Sequence, residues 1–494
     1  MSSHALPREL PAQPSFLATR RGKLTLFYLC MVGFLDFVDA SIVNVALPSI
    51  RHDLHFSVQS LQWVLSGYLL TYGGFMLLGG RAADLLGRRR ILVAGMTVFA
   101  LASLTGGLAS NSAMLIGARL VQGLGAAMML PATLSILTTT FHEGKDRNTA
   151  LGAWGAIAGL ASAVGVFLGG LLTEDVGWRW ILWVNLPVCA VLLVATFRIV
   201  SGERPTGPVK NFDALGAVVV TGGMLLLIYT LVNAPSVGWG TTRTIAGLAG
   251  AGLLLLAFVA NERRAPSPLV PLSIFRINGL AAADATQVIA MAGFYSMFFF
   301  LTLYMQNVLG FSQLQAGTAY LPATAGVAIA SGIASQLFAR VGTRPIIVTG
   351  ALISAAAVYW LAQIPVNGSY LTDLLPGLLI MSFGLGFVFV GVNTAANAGV
   401  PADKAGLAAA LVNTSTWLGG ALGLAIFSVI ATTRTQHLLA AHTSQPDALT
   451  SGFRYALVAC SLFLVAAALI ALRATNTRGE QQPTIETEPA LEVV

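Results

Sequence analysis

Residues 34–48 read FLDFVDASIVNVALP and place two carboxylates, Asp36 and Asp39, inside an apolar run that is long enough to cross a bilayer. A carboxylate near the centre of a membrane helix costs about 3 kcal/mol on insertion scales. Two such groups therefore require a charged partner, a water-filled cavity or a titratable role. This stretch predicts a membrane protein whose buried acids have a function.

The whole chain has the composition of a membrane protein. Hydrophobic residues make up 56% of its 494 residues and charged residues only 10%, whereas a soluble domain carries about 25% charged residues. One crossing needs about 20 apolar residues, so the hydrophobic segments predict an all-α integral membrane protein with fourteen transmembrane helices. The expected spans are 24–47, 60–80, 91–109, 113–137, 149–172, 180–200, 213–233, 243–260, 279–305, 315–338, 345–363, 373–397, 405–431 and 453–472.

Basic residues predict the orientation of these helices. With both termini inside the cell, most of the 27 lysines and arginines fall in cytoplasmic segments, as the positive-inside rule requires. The net charge of +7 is then explained by topology and does not indicate a nucleic-acid partner. We expect a multi-pass protein of the inner (plasma) membrane.

The two chain ends are expected to be tails. Residues 1–22 lack the short apolar region of a signal peptide, so they predict a cytoplasmic N-terminal tail. Residues 474–494 carry several glutamates and predict a disordered cytoplasmic tail.

The chain also repeats itself. FSVQ at 56–59 is echoed by FSQ at 311–313, and GRR at 87–89 is echoed by GTR at 342–344, both 255 residues later. Two similar halves with a site between them near the membrane midplane are typical of alternating-access transporters. The predicted domains are an N-terminal six-helix bundle at 23–200, a linker with two inserted helices at 201–265 and a C-terminal six-helix bundle at 266–473.

Four stretches carry a family resemblance. They are GRAADLLGRRR at 80–90, RLVQGLG at 119–125, VDASIVNVALP at 38–48 and a set of glycines between 152 and 170. Together they resemble the fourteen-helix drug:proton antiporters of the major facilitator superfamily, the EmrB/QacA type, over residues 24–475. The resemblance implies export of hydrophobic or cationic drug-like compounds in exchange for protons. The same fold leaves open a proton-coupled exporter or importer of one metabolite or lipid.

The first motif implies a cytoplasmic gate built from Asp84, Gly87 and Arg88. A turn at Gly87 allows Asp84 and Arg88 to meet as an i,i+4 pair or to cap a helix end. Leu85 departs from the family pattern, which usually has a basic residue there. The alternative is that these arginines only anchor the topology.

The second motif places Arg119 in the membrane. Counted from their loops at 1.5 Å per residue, Arg119 lies about 10 Å deep and Asp39 about 13 Å deep from the same face. We therefore expect Arg119 to face Asp39 and to form the proton-coupling set with Asp36 and Asp39. Two acids three residues apart titrate as a coupled pair, so the sequence does not assign the proton to either. A static salt bridge is the alternative.

The predicted fifth span resembles the antiporter signature, with Ala161 in place of a glycine and Val166 in place of the proline. Its glycines allow close helix contact, and plain helix packing remains the alternative role. The expected helix-packing residues are Gly152, Gly165, Gly169 and Gly170.

Substrate contacts are expected from aromatic and amide side chains, which suit bulky and variable ligands, although such clusters also serve for packing. Asp284 could be a second acid, but a side chain that reaches the inner rim is favoured. The expected cavity residues are Trp63, Tyr68, Gln122, Trp154, Tyr295, Phe299, Asn393, Asn397 and Trp417.

Other classes of protein fit the sequence less well. None of the four lysines lies in a phosphate-binding Gly-x-x-x-x-Gly-Lys loop, so an ATP-driven pump is not expected. The three cysteines lie in different spans and the six histidines in tails or loops, so neither a metal nor a redox cofactor is expected. The repeat favours a carrier over a channel, and no enzymatic site is predicted. The expected partners are a small-molecule substrate, protons and the lipid bilayer.

Overall fold

The computed structural model describes residues 16–141, 145–200, 213–266, 268–398, 400 and 405–478, and this part of the chain consists of helices and short connections with no strand. Short 3-10 segments lie at Phe16–Ala18 and Leu272–Arg276, and a π turn lies at Tyr370–Leu374. The helices are α1 (Arg20–Asp53), α2 (Val58–Leu61), α3 (Trp63–Leu86), α4 (Arg88–Gly107), α5 (Ser112–Thr140), α6 (Lys145–Asp175), α7 (Trp180–Trp183), α8 (Asn185–Ile199), α9 (Ala214–Val237), α10 (Thr242–Arg264), α11 (Leu280–Asn307), α12 (Gln313–Ala319), α13 (Leu321–Val341), α14 (Thr343–Leu361), α15 (Leu375–Asn397), α16 (Ala405–Ala440) and α17 (Gln445–Ala471).

Twelve helical segments among the described residues are long and apolar enough to cross a membrane. The predicted count of fourteen is therefore not confirmed. The two helices outside the twelve are α3, with 24 residues, and α6, with 31 residues. The all-helical prediction is confirmed.

The helices pack as two groups, in which corresponding helices along the chain make corresponding contacts. In the first group, α3 and α4 pack on α5, and α1 packs on α6. In the second group, α13 and α14 pack on α15, and α11 packs on α16 and α17. The pair α9 and α10 packs together and contacts α3 and α16. The repeated turns also match, because Gly87 between α3 and α4 and Gly342 between α13 and α14 have positive φ angles of 100° and 88°.

The two helix groups contact each other where α3 packs on α16 and also at one end of the molecule. Gln306 Nε2 donates to the Val45 carbonyl and Gln313 Nε2 to Ser49 Oγ, both at 2.8 Å. These contacts lie where α1 and α11 finish. At the other end, where α1 and α11 begin, the described residues show no comparable packing of α5 on α16 or of α6 on α15. We call this second end the basic end. Its arginines include Arg20, Arg88, Arg276, Arg344 and Arg473.

The first helix is longer than expected. The predicted span ended at residue 47, but α1 continues through Pro48 to Asp53. Proline removes one backbone donor and disturbs the preceding turn. The missing N–H is the one that would donate to the Asn44 carbonyl, four residues earlier, and the helix continues past this point.

The segment after α17 packs on the repeated turn of the second group. Thr343 Oγ1 donates to the Thr475 carbonyl at 2.8 Å, and Arg344 Nε donates to the Ala474 carbonyl at 3.0 Å. The first residues of the expected C-terminal tail are thus hydrogen-bonded to the start of α14. The remainder of that tail, from residue 479, lies outside the described residues.

Candidate proton and substrate site

Asp39 lies in a fully buried ion pair. Arg119 Nη1 is 2.8 Å from Asp39 Oδ2, and the two side chains are 1% and 0% exposed. Arg119 enters from α5 and Asp39 from α1. The contact that equal depth predicted is therefore present. Gln122, one turn after Arg119, donates to Asp39 Oδ1 at 2.8 Å and accepts from Arg119 Nη1 at 2.7 Å, so this expected cavity residue belongs to the ion-pair network.

Two polar side chains complete the Asp39 network. Asn185 of α8 donates to Asp39 Oδ1 at 2.7 Å and to Ser103 Oγ at 3.0 Å. Ser103 of α4 donates in turn to the Leu182 carbonyl. Sequence reasoning missed both residues. An asparagine inside the apolar stretch ILWVNLPVCA was the available signal, since polar groups in membrane helices need partners.

The guanidinium of Arg119 has two further contacts, while its Nη2 is buried without a hydrogen bond among the described residues. Its Nε donates to the Val64 carbonyl at 3.1 Å, and its planar group lies 4.1 Å from the centroid of the Tyr68 ring. A cation over an aromatic face is attracted by the ring quadrupole, by about 2 kcal/mol when both are desolvated. The charge of Arg119 is thus fixed in place from three helices.

Asp36 has a different environment. It is 1% exposed, and its partners are the hydroxyls of Tyr72, which donates to Oδ2, and of Tyr68, which donates to Oδ1 at 3.3 Å. Among the described residues no lysine, arginine or histidine nitrogen lies within 4.0 Å of it. Asp36 is therefore a buried acid that is held by neutral donors.

The Asp36 pocket touches the second helix group. Tyr72 of α3 stacks on Trp417 of α16, with ring centroids 4.3 Å apart and an interplanar angle of 18°. Tyr295 of α11 lies 6.2 Å from Trp417. Gly73 allows this approach, because a Cβ there would lie 3.0 Å from the Trp417 Cβ. The structure thus brings together three of the expected cavity residues, Tyr68, Tyr295 and Trp417, around Tyr72, which is also a cavity candidate from the sequence.

The other expected cavity residues lie elsewhere. Trp154 packs on α1, where a Cβ at Gly33 would lie 2.6 Å from its ring. Phe299 is buried beside Phe300, with ring centroids 5.1 Å apart, and Trp63 is half-buried at the start of α3. The side-chain amides of two α15 residues bond to carbonyls of their own helix. These residues are Asn393 and Asn397.

The glycines of α6 bring helices together. A Cβ at Gly165 would lie 2.8 Å from the Val38 carbonyl oxygen, and one at Gly169 would lie 2.4 Å from the Ile42 carbonyl oxygen. Both contacts are with α1. Gly170 instead faces the second group, because a Cβ there would lie 2.7 Å from the Gln313 carbonyl oxygen. The surroundings of Gly152 lie outside the described residues.

The expected gate lies at the basic end. Gly87 forms the turn between α3 and α4 with a φ of 100°, a region that favours glycine. Arg88 Nη1 donates to Thr139 Oγ1 at 3.0 Å, which ties the start of α4 to the end of α5. The side chain of Asp84 lies outside the described part of the chain, so its expected contact with Arg88 is a prediction.

The fold and site together define an integral membrane carrier, in which buried acids lie beside the contact between two helix groups of the same order. The family model of the Major Facilitator Superfamily matches residues 29–424. The chain belongs to this superfamily and is a transporter, not an enzyme.

Similar proteins include resistance and export proteins. The chain is 38% identical to the puromycin resistance protein pur8 of Streptomyces alboniger, covering 90% of this chain and 89% of the relative. It is also 38% identical to the cephamycin export protein CmcT of Amycolatopsis lactamdurans, covering 92% of each. A bacterial homologue of the human lysosomal transporter Spinster, solved in an inward-facing and unoccupied conformation, has the same fold. Its TM-score is 0.65 at 18% identity, covering 92% of this chain and 97% of that chain.

Proposed function

We propose that this protein exports hydrophobic or cationic drug-like compounds in exchange for protons, and that Asp36 carries the exchanged proton. The proposal rests on the different surroundings of the two acids of α1. Asp39 is paired with Arg119 at 2.8 Å, whereas Asp36 is buried against two tyrosine hydroxyls. A carboxyl group that gains a proton there loses its charge and leaves no cation unpaired behind it.

The location of Asp36 supports coupling to substrate. Its donor Tyr72 stacks on Trp417 of the other helix group. A change in the charge of Asp36 therefore acts on the Tyr72 hydroxyl, and the ring of the same tyrosine forms the contact between the groups. Aromatic faces bind bulky apolar or cationic ligands. A substrate that displaces the Tyr72–Trp417 contact would alter the hydrogen bond to Asp36, and the proton and substrate would then compete for one pocket.

The same contacts support an alternating-access cycle. The groups contact each other through α3 and α16 and where Gln306 and Gln313 bond to α1. We infer that the basic end faces the cytoplasm of the cell, in line with the positive-inside rule. Both termini are then cytoplasmic, in the plasma membrane. With α3 and α6 counted as crossings, the helices number fourteen.

The helix groups correspond to the proposed domains, with α9 and α10 as the inserted pair. The turn at Gly87 and the Arg88 to Thr139 contact would act as the gate together with Asp84. Names of the relatives support the substrate class, because one confers puromycin resistance and one exports cephamycin. Export or uptake of one metabolite or lipid is the alternative.

Transport by purified protein in proteoliposomes tests this proposal. Vesicles with an imposed pH gradient are supplied with cationic aromatic dyes, neutral antibiotics and fluorescent lipids. We expect several unrelated aromatic compounds to accumulate against their gradient, and a proton ionophore to abolish the accumulation. Transport of a single metabolite or lipid, or transport that the ionophore does not affect, would contradict the proposal.

A further inference from the structure

The seam between α11 and α16 contains a buried acid that the exchange described above does not use. Asp284 of α11 is 7% exposed. The Ser415 hydroxyl of α16 is its hydrogen-bonding neighbour, and in the part of the chain that the structure describes no cationic nitrogen lies within 4.0 Å of it. The favoured expectation that this side chain reaches the inner rim is wrong, because it is enclosed between the two helices.

The helix packing fixes where this acid lies. A Cβ at Gly419 of α16 would be 2.4 Å from the Val288 carbonyl oxygen, so the two backbones touch there. Asp284 is four residues, about one turn, before Val288. Ser415 is the same distance before Gly419, and its hydroxyl faces the Asp284 carboxyl. Asp284 therefore lies in the same seam, one turn closer to the basic end than the tight contact.

Another polar group in this seam lacks a partner. Gln287 Nε2 donates to Thr416 Oγ1 at 2.8 Å, but Gln287 Oε1 is buried without a hydrogen bond among the described residues. A buried polar group without a partner costs about 1–3 kcal/mol. The Asp39 carboxylate, by contrast, is paired at both oxygens. The seam therefore has a buried acid without a cation and, one turn further along α11, an unpaired acceptor, which together suit a cationic ligand.

The seam also leads to the Asp36 pocket. Asp284 and Tyr295 are eleven residues apart, which is about three turns, so they share one face of α11. Tyr295 lies 6.2 Å from Trp417, which stacks on Tyr72. Asp284 is about 16 Å along the helix from Tyr295, toward the basic end. A ligand that enters from the basic end would meet this acid first.

We propose that Asp284 and the Gln287 amide oxygen form a second cation-binding subsite, which holds the positively charged group of an aromatic substrate on its way to the Tyr72–Trp417 contact. The carboxylate supplies the counter-charge, and the amide oxygen supplies a further acceptor. The aromatic part of the substrate extends toward Tyr295 and Trp417. This subsite rests on the proposed export of cationic compounds.

Binding to the full-length protein in lipid nanodiscs tests the subsite. The probes are tetraphenylphosphonium, a permanent aromatic cation, and neutral triphenylphosphine oxide. We expect Asp284→Asn to weaken binding of the cation about tenfold, as loss of one charge-assisted contact would, and to leave binding of the neutral probe unchanged. Unchanged cation binding overturns the proposal. An equal loss for both probes also overturns it, since that result indicates packing.

A second variant keeps the test decisive if Asp284→Asn does not fold. Ser415→Lys places an ammonium opposite Asp284 and should abolish binding of the cation while the neutral probe still binds. Cation binding at the normal affinity in Ser415→Lys would overturn the proposal. Glu262→Gln is the matched control, because Glu262 is a buried acid of α10 that accepts from the Val270 N–H at 2.9 Å. Its cation affinity should equal that of the wild type.

The subsite and the proposed export can fail separately. If wild-type protein binds the cation through Asp284 but no pH gradient drives its export, the subsite stands and the proposed function fails. If export is driven by the gradient and Asp284→Asn binds the cation normally, the proposed function stands and the subsite fails.

Discussion

Asp36 and Asp39 are three residues apart on α1, and both are almost completely buried, yet their surroundings differ. Asp39 accepts from Arg119, Gln122 and Asn185. Asp36 accepts only from Tyr68 and Tyr72 among the described residues. One acid is part of a closed charge network, and the other borders the contact between the helix groups.

This difference indicates a structural role for the charge of Asp39 and supports the proposal that Asp36 exchanges a proton. Protonating Asp39 would leave Arg119 as a buried charge without its partner, and an uncompensated buried charge is strongly unfavourable. Protonating Asp36 removes a charge from the protein interior and leaves only neutral groups nearby. The comparison favours the proposed proton exchange at Asp36 over exchange at Asp39, whose hydrogen bonds hold α1, α5 and α8 together.

The largest effect is expected from breaking the closed network. Arg119→Ala leaves Asp39 without its cation and should lower the free energy of unfolding by about 3–5 kcal/mol, with loss of transport. Thermal unfolding in detergent measures the change. Arg179→Ala is the control, because the Arg179 to Asp53 pair is partly exposed and should contribute about 1 kcal/mol or less. Equal losses of unfolding free energy in the two variants would mean that the buried pair contributes no more to stability than the partly exposed pair.

Removing both charges should restore much of that loss. The double variant Asp39→Asn with Arg119→Gln has no buried charge left, and replacing both partners of a buried pair is often nearly neutral. We expect it to unfold at a higher temperature than either single variant and to retain transport that depends on the pH gradient. Loss of gradient dependence in a folded double variant would place the exchanged proton on Asp39.

A smaller effect is expected where Asp36 meets the second helix group. Tyr72→Phe keeps the ring that stacks on Trp417 and removes the hydroxyl that donates to Asp36. A hydrogen bond to a charged group contributes about 1.5–3 kcal/mol, so the pH dependence of transport should shift while substrate affinity changes little. Tyr229→Phe, at an exposed hydroxyl on α9, should change neither. A normal pH profile of transport in Tyr72→Phe would show that the Tyr72 hydroxyl has no role in proton exchange.

The sequence predicted the Asp39–Arg119 network better than the surroundings of Asp36. Helices follow from hydropathy, and the Arg119 to Asp39 contact follows from equal depths counted along two helices. The tyrosine donors of Asp36 could not be predicted in this way, because depth does not determine which way a helix face turns. The stacking of Tyr72 on Trp417 depends on contact between distant parts of the chain and on the small Gly73, and no local pattern specifies it.

The smallest effect is expected at the edge of the network. Asn185→Ala removes one donor to Asp39, which still accepts from Arg119 and Gln122. Hydrogen bonds between membrane helices average about 0.6 kcal/mol, so the unfolding temperature should fall slightly and transport should persist. Thermal unfolding and efflux assays check both outcomes. A loss as large as that of Arg119→Ala would mean that Asn185, and not the arginine, holds the acid.

Proton movement driven by substrate tests the assignment of Asp36 most directly. Proteoliposomes are loaded with substrate and a pH-sensitive dye and then diluted, so that leaving substrate draws protons inward. Wild-type protein should acidify the lumen, as should Asp53→Asn, which changes an exposed acid of the same helix. Asp36→Asn should give no acidification while it still exchanges labelled for unlabelled substrate. Acidification by Asp36→Asn at the wild-type rate would contradict the account.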